Sequence, residues 1–187
     1  MFYIPASFPT IARTFLLLNL MIAGIFCLTG CGTVTDLVTT NVPDYHKGKA
    51  SIVIRLRDQQ ACLYKAKNLI AVSRISTGRE GHNTPVGHFK VILKDEHHHS
   101  SVYGYYANES GQPVKENIDI RKDPKPPYSH FVGASMPFFL EFSPGYGLHQ
   151  GYLPGFPASH GCVRMPYWKA RQFYETAKVG TPVTVAP

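Results

Sequence analysis

The stretch PASHGCVRMP, residues 157–166, sets a histidine two residues before a cysteine and an arginine two residues after it. If residues 160–164 are extended, alternate side chains share a face, so His160, Cys162 and Arg164 point one way and Val163 points into the core. Positive neighbours favour thiolate over thiol and make a cysteine nucleophilic near neutrality. Gly161 permits a turn, or an approach of ligand to backbone, that a side chain would block. The N–H groups of Gly161 and Cys162 can hold a developing oxyanion. The chemistry this pattern suits is attack of sulfur on a carbonyl carbon.

A nucleophile of this kind needs a base. No histidine follows Cys162, which excludes the papain-like order of an early cysteine and a late histidine. The candidates upstream are His46, His82, His88, His97, His98, His99, His130, His149 and His160. His46 falls in a polar tether, and His97–His99 read as a solvated loop before they read as a metal site. His149 is best placed: it ends the apolar run GYGLHQG, with glycine on both sides, shortly before the cysteine block. Its plainer reading is a turn histidine. A zinc site from His149, His160 and Cys162 would use the same groups, but no fourth ligand stands at the usual spacing.

The elements that must position these groups are mostly strands. The runs SIVIRL, ACLYKA, LIAVSRIS and GHFKVIL are β-branched or aromatic and bounded by charged, Asn or Gly residues, the pattern of an antiparallel meander. Residues 95–133 break the rhythm and read as turns and loops, a lid inserted in the domain. Apolar runs resume at PFFLEF. Pro166 suits a first helical turn, Ala170, Phe173, Tyr174 and Ala177 form one apolar stripe, and Lys178 and Gly180 close the helix. TPVTV supplies a last strand.

The N-terminus differs in kind. Phe15–Phe26 is an uncharged apolar run after Arg13, too short to span a bilayer and suited to a signal-peptide core. Leu28-Thr29-Gly30-Cys31 resembles the lipobox of bacterial lipoproteins, which implies a signal peptide over 1–30, a lipidated Cys31 and a tether to residue 48. Gly32, in place of the Asp of inner-membrane retention, points to the periplasmic face of the outer membrane. Cleavage would leave 157 residues with 18 of the 19 basic and all 12 acidic side chains, a net +6. That charge suits anionic lipid or a carboxylate-rich substrate, or serves solubility alone; an exported lipoprotein meets no nucleic acid. Cys62 lies in an apolar strand and Cys162 in a glycine-flanked turn, which argues against a disulfide between them.

The block GYGLHQGYLPGFPASHGCVRMP resembles the active-site signature of YkuD-type L,D-transpeptidases, a histidine at a glycine-rich strand end followed by Ser-His-Gly-Cys-x-Arg. Ser76–Gly78, Thr84–Phe89 and VGTPVTV are similar to further pieces of that family, so the resemblance covers roughly residues 50–186. It implies a mainly β catalytic domain over 49–187, an antiparallel β-sandwich or open barrel with one helix after the cysteine. It implies Cys162 as nucleophile, His149 as general base, and His160 as a catalytic residue that shapes the site and assists proton transfer. Ser159, Gly161 and Arg164 would fall on the oxyanion and substrate side. The implied reaction is cofactor-free acyl transfer: a peptidoglycan tetrapeptide stem loses D-Ala, and its thioester passes to an amine. Water as acceptor would make an L,D-carboxypeptidase, an outer-membrane lipoprotein is another possible acceptor, and an inert site would leave a lipid-anchored wall-binding protein. Two features depart from the family: Gln150 stands where many members have glycine, and the interval from His149 to Cys162 is short.

Overall fold

The computed structural model describes residues 48–187; the expected signal peptide, Cys31 and the tether up to residue 47 lie outside them. β1 (Ala50–Arg55), β2 (Gln60–Lys65) and β3 (Asn68–Arg74) pair antiparallel in chain order, as their alternation demands. The expected run GHFKVIL is not one strand but two, β4 (Gly87–Lys90) and β5 (Leu93–Asp95), which belong to different sheets. Buried Val91 sits between them, its N–H donating to Thr181 at 2.8 Å. The chain therefore crosses from one sheet to the next within a single apolar run.

The first sheet has the order β3-β2-β1-β12-β4, closed by β12 (Pro182–Ala186). The second is β11-β10-β9-β5, built from β9 (Phe139–Ser143), β10 (Tyr146–Gln150) and β11 (Val163–Met165). The mainly β architecture stands, but its sheets are mixed: β1 with β12 and β10 with β11 run parallel. Parallel neighbours cannot be joined by a tight hairpin and need a long connection. Between β10 and β11 that connection is residues 151–162, the segment that carries the Ser-His-Gly-Cys block.

The core lies between the two sheets and the helix. Ile52, Ile54, Leu63, Val183 and Val185 meet Leu140, Phe142, Leu148, Val163 and Met165. Each such side chain, fully buried, contributes about 1.5–3 kcal/mol. The helix α1 (Tyr167–Thr176) starts after Pro166 and buries Ala170 and Phe173, with Ala177 as the residue that ends it. Its own last turn holds no basic residue. Lys94 on β5 supplies the charge instead, donating from Nζ to the carbonyls of Tyr174 and Ala177 at 2.6 Å each, over the Tyr174 ring. A cation on orphan C-terminal carbonyls is favourable. Lys94→Met, which keeps the apolar stem, is expected to cost about 1–2 kcal/mol and to lower the melting temperature by about 3–6 °C in thermal denaturation.

Residues 95–133 correct the sequence reading most. They are not turns and loops but largely a third sheet, β7-β6-β8, from β6 (His99–Asn108), β7 (Pro113–Asp119) and β8 (Ser129–Ser135). Its buried hydrophobic residues are Tyr106, Ala107 and Ile118, so both faces carry many polar residues. Without a continuous apolar face the strands leave no alternation to read. Among the described residues no helix is long and apolar enough to cross a membrane.

Candidate active site

Three neighbouring strands of the second sheet make the floor of a cleft of about 480 Å³. On β9, Leu140 and Phe142 enter the core while Phe139 and Glu141 line the cleft. On β10, Leu148 enters the core and His149 lines the cleft; on β11, Val163 and Met165 enter the core and Arg164 lines it. Register pairs Gly147 with Glu141 and His149 with Arg164. Carried one residue further, the parallel register sets Cys162 beside Gly147. The side chains therefore stand in two rows, Glu141–Gly147–Cys162 and Phe139–His149–Arg164. Cys162 and His149 are diagonal neighbours on one face, as the period of two requires.

Of the expected extended stretch 160–164 only Val163 and Arg164 are strand, in β11; residues 160–162 form a bend, with Gly161 at φ +119°. That conformation is closed to most side chains, and a Cβ there would also meet the Tyr146 ring at 2.6 Å. The bend is held from below. Ser76 exchanges backbone hydrogen bonds with Arg164 at 2.9 and 3.0 Å, and the amides of Ala158 and Ser159 donate to the Thr77 carbonyl. Thr84 Oγ1 donates to the Gly161 carbonyl at 2.7 Å and accepts from the Gly78 N–H at 3.0 Å. The Ser-Thr-Gly and Thr-Pro pieces are the cradle of the cysteine loop.

Ser159, which also lines the cleft, is tied into this scaffold. Its buried hydroxyl donates to the Cys162 carbonyl and accepts the Gly161 N–H at 3.0 Å. The same bond engages the Gly161 N–H inside the loop.

His149 is buried, and its Nδ1 lies 2.7 Å from the Gln150 carbonyl. A carbonyl only accepts, so Nδ1 carries the proton of the neutral ring and Nε2 keeps its lone pair. Gln150 serves here through its backbone, so a side chain in place of glycine does not disturb the contact. Burial, aided by Arg164 and His98, pushes the His149 pKa down to about 4. The Cys162 thiol is pushed up, mainly by burial; the Gly147 N–H and Arg164 oppose that and Glu141 adds to it. The resting pair at neutral pH is thus thiol and imidazole, not the thiolate that positive neighbours alone suggest. The thiol meets the Gly145 carbonyl, 3.6 Å away, and rotation about Cβ–Sγ turns its proton elsewhere. Cys62 is buried and free, and no disulfide joins it to Cys162.

The profile of the YkuD family, L,D-transpeptidase catalytic domain, matches residues 49–185. The chain belongs to the YkuD family. Among solved structures, it is similar to an L,D-transpeptidase from Stackebrandtia nassauensis, at 20% identity and TM-score 0.54 over 75% of this chain and 57% of that one. An L,D-transpeptidase from Mycobacterium smegmatis matches at 16% identity and TM-score 0.55, over 74% and 59%. An L,D-transpeptidase solved in complex with imipenem matches at 14% identity and TM-score 0.53, over 73% and 58%. The chain thus spans about three fifths of these relatives' length. No curated protein matches it in sequence.

Within this YkuD domain His160 turns away from the zinc arrangement. It stacks on Tyr103 of β6, ring centroids 4.1 Å apart at 25°, and meets His82 edge-on at 5.0 Å. Burial, then Arg79 and His82, push its pKa down to about 4. Among the described residues no three His, Cys, Asp or Glu side chains converge as metal ligands. The third sheet forms a wall of the cleft through Ser100–Tyr103 of β6 and Ala134–Met136 at the end of β8. The cleft also holds functional groups that the sequence does not single out, among them His98, Tyr103 and Glu141. His98, read as part of a solvated run, stacks on Phe139 at 4.1 Å and bonds Asp95 at 3.0 Å. Tyr103 and Glu141 carry no local motif, and their place follows only from how the sheets meet.

Proposed function

We propose that this chain is a peptidoglycan L,D-transpeptidase, with Cys162 as nucleophile and His149 as general base. The observation that carries this reading is the placement of a thiol and a correctly tautomeric imidazole as neighbours on one cleft floor. A protein of related fold was solved in complex with imipenem, whose strained amide suits attack by a sulfur nucleophile. As sulfur attacks the amide after the L-centre of diaminopimelate, Nε2 of His149 takes the thiol proton and passes it to the leaving D-Ala nitrogen. The C–N bond breaks and a thioester forms. The Cys162 N–H, with Gly161 engaged in the loop, is the amide left to face the oxyanion. Arg164 stabilises negative charge as the thiolate develops and attracts the stem's carboxylates. His160 shapes the wall by its stack on Tyr103. No metal or organic cofactor enters any step.

The amine acceptor then resolves the thioester. Incubating the full-length protein with a tetrapeptide donor should release D-Ala, and adding a tripeptide stem should divert the thioester from hydrolysis to cross-linked product. Absence of D-Ala release together with absence of any imipenem adduct in intact-mass spectra would overturn the reading. We propose further that Cys31 is diacylated and holds the domain at the periplasmic face of the outer membrane. This rests on the lipobox-like Leu28–Cys31 pattern. The intact mass of protein recovered from membranes tests it, since the chain should then begin at Cys31 and carry acyl mass.

A further inference from the structure

The cleft floor holds one charge that acylation of Cys162 does not use. Glu141 lines the cleft from β9, in the row Glu141–Gly147–Cys162. Two strand spacings separate its Cα from that of Cys162, about 10 Å. The residue between has no side chain, and the ring of Phe139 fills the place its Cβ would take. Oε1 of Glu141 accepts the Gly145 N–H at 2.8 Å, which fixes the group at the β9–β10 turn. A carboxylate accepts about four hydrogen bonds. Among the described residues no cation pairs with it. Its charge also works against the first half-reaction, because a neighbouring anion disfavours thiolate. A group that hinders acylation, is held at the turn whose Gly145 carbonyl the thiol meets, and lines the same cleft calls for a use in the second half.

We propose that Glu141 is the docking group for the primary ammonium of the acceptor. This rests on the transpeptidase reading above. Arg164, in the neighbouring row, takes donor carboxylates, and Glu141 takes the opposite charge, so donor and acceptor approach the thioester from chemically distinct sides. The docked ammonium gives one proton to water, and the amine nitrogen attacks the thioester carbon. The C–N bond forms and the C–S bond breaks. The surplus amine proton passes through Nε2 of His149 to the Cys162 sulfur, which restores the thiol.

The test is Glu141→Gln in the full-length protein, which keeps an acceptor oxygen for the Gly145 N–H and removes only the charge. A charged acceptor, the tripeptide stem, is compared with hydroxylamine, which is uncharged at neutral pH. The apparent KM for the tripeptide should rise about 5–20-fold, while capture by hydroxylamine holds and Cys162 acylation by imipenem quickens about two-fold or more. Glu141→Asp should restore part of the tripeptide affinity. A turn-holding role alone would slow acylation and both captures together, and would overturn the assignment, as would an unchanged KM for the tripeptide. A wild-type protein that is never acylated would instead remove the transpeptidase reading on which the assignment stands.

Discussion

His149→Ala is expected to slow acylation of Cys162 by about 10²–10⁴-fold, and Cys162→Ala to abolish the adduct, in intact-mass time courses with imipenem at neutral pH. The reason is the state of the resting pair. A thiolate already formed would attack without help, and loss of the histidine would matter little. Here burial holds the thiol protonated and the imidazole neutral, so proton removal falls within the attack itself. The Gln150 carbonyl makes this possible by fixing the hydrogen on Nδ1 and leaving Nε2 free. An adduct that formed as fast in His149→Ala as in wild type would mean that the sulfur ionises by another route.

The same assignment fixes the pH dependence. With His149 pushed down to about 4, the base stays neutral through weakly acid solution, so the acid limb of the acylation rate should fall near 4 and not near the usual 6.5. Stability follows with a definite sign. His149 and His160 both lie near 4 in the folded state against 6.5 unfolded, so between these values the unfolded chain binds more protons. Their neutral forms favour the fold fully above 6.5, and that contribution is lost as the pH falls towards 4. Urea midpoints should therefore decrease from pH 7 to pH 4.5.

What the sequence made legible depended on whether one element decided it. Ile52 and Ile54 alternate against the core, and the helix stripe carries Ala170 and Phe173, so β1 and α1 announce themselves locally. The cysteine block was legible because its residues are consecutive. Glu141 was not, since its relation to Cys162 exists only through Gly147 and the register of three strands. The third sheet was hidden by polarity on both faces. The charge state of Cys162 is hidden for a related reason: His160 and Arg164 are visible beside it in the sequence, but its burial and Glu141 are not. His160, moreover, is spent on Tyr103.

Gly161→Ala is expected to lower acylation by about 10²-fold or more, through position and not through chemistry. At φ +119° an alanine stores about 1–3 kcal/mol of strain, and its Cβ would lie 2.6 Å from the Tyr146 ring, so bend or ring must shift. Two of the restraints on the cysteine loop run through this residue. Its N–H donates to Ser159, its carbonyl accepts from Thr84, and Cys162 follows directly. A displacement of the bend therefore moves the sulfur relative to His149, and a misplacement of about 1 Å suffices for such a loss. Ser159→Ala separates this account from a direct role of the loop in binding substrate. It leaves the Gly161 N–H and the Cys162 carbonyl unpaired in a buried place, at about 1–3 kcal/mol. The expected result is a lower melting temperature and slower acylation with the acid limb still near 4, because His149 keeps its own carbonyl partner. A Ser159→Ala protein that melts as wild type but binds tetrapeptide donor more weakly would place that hydroxyl on the substrate side.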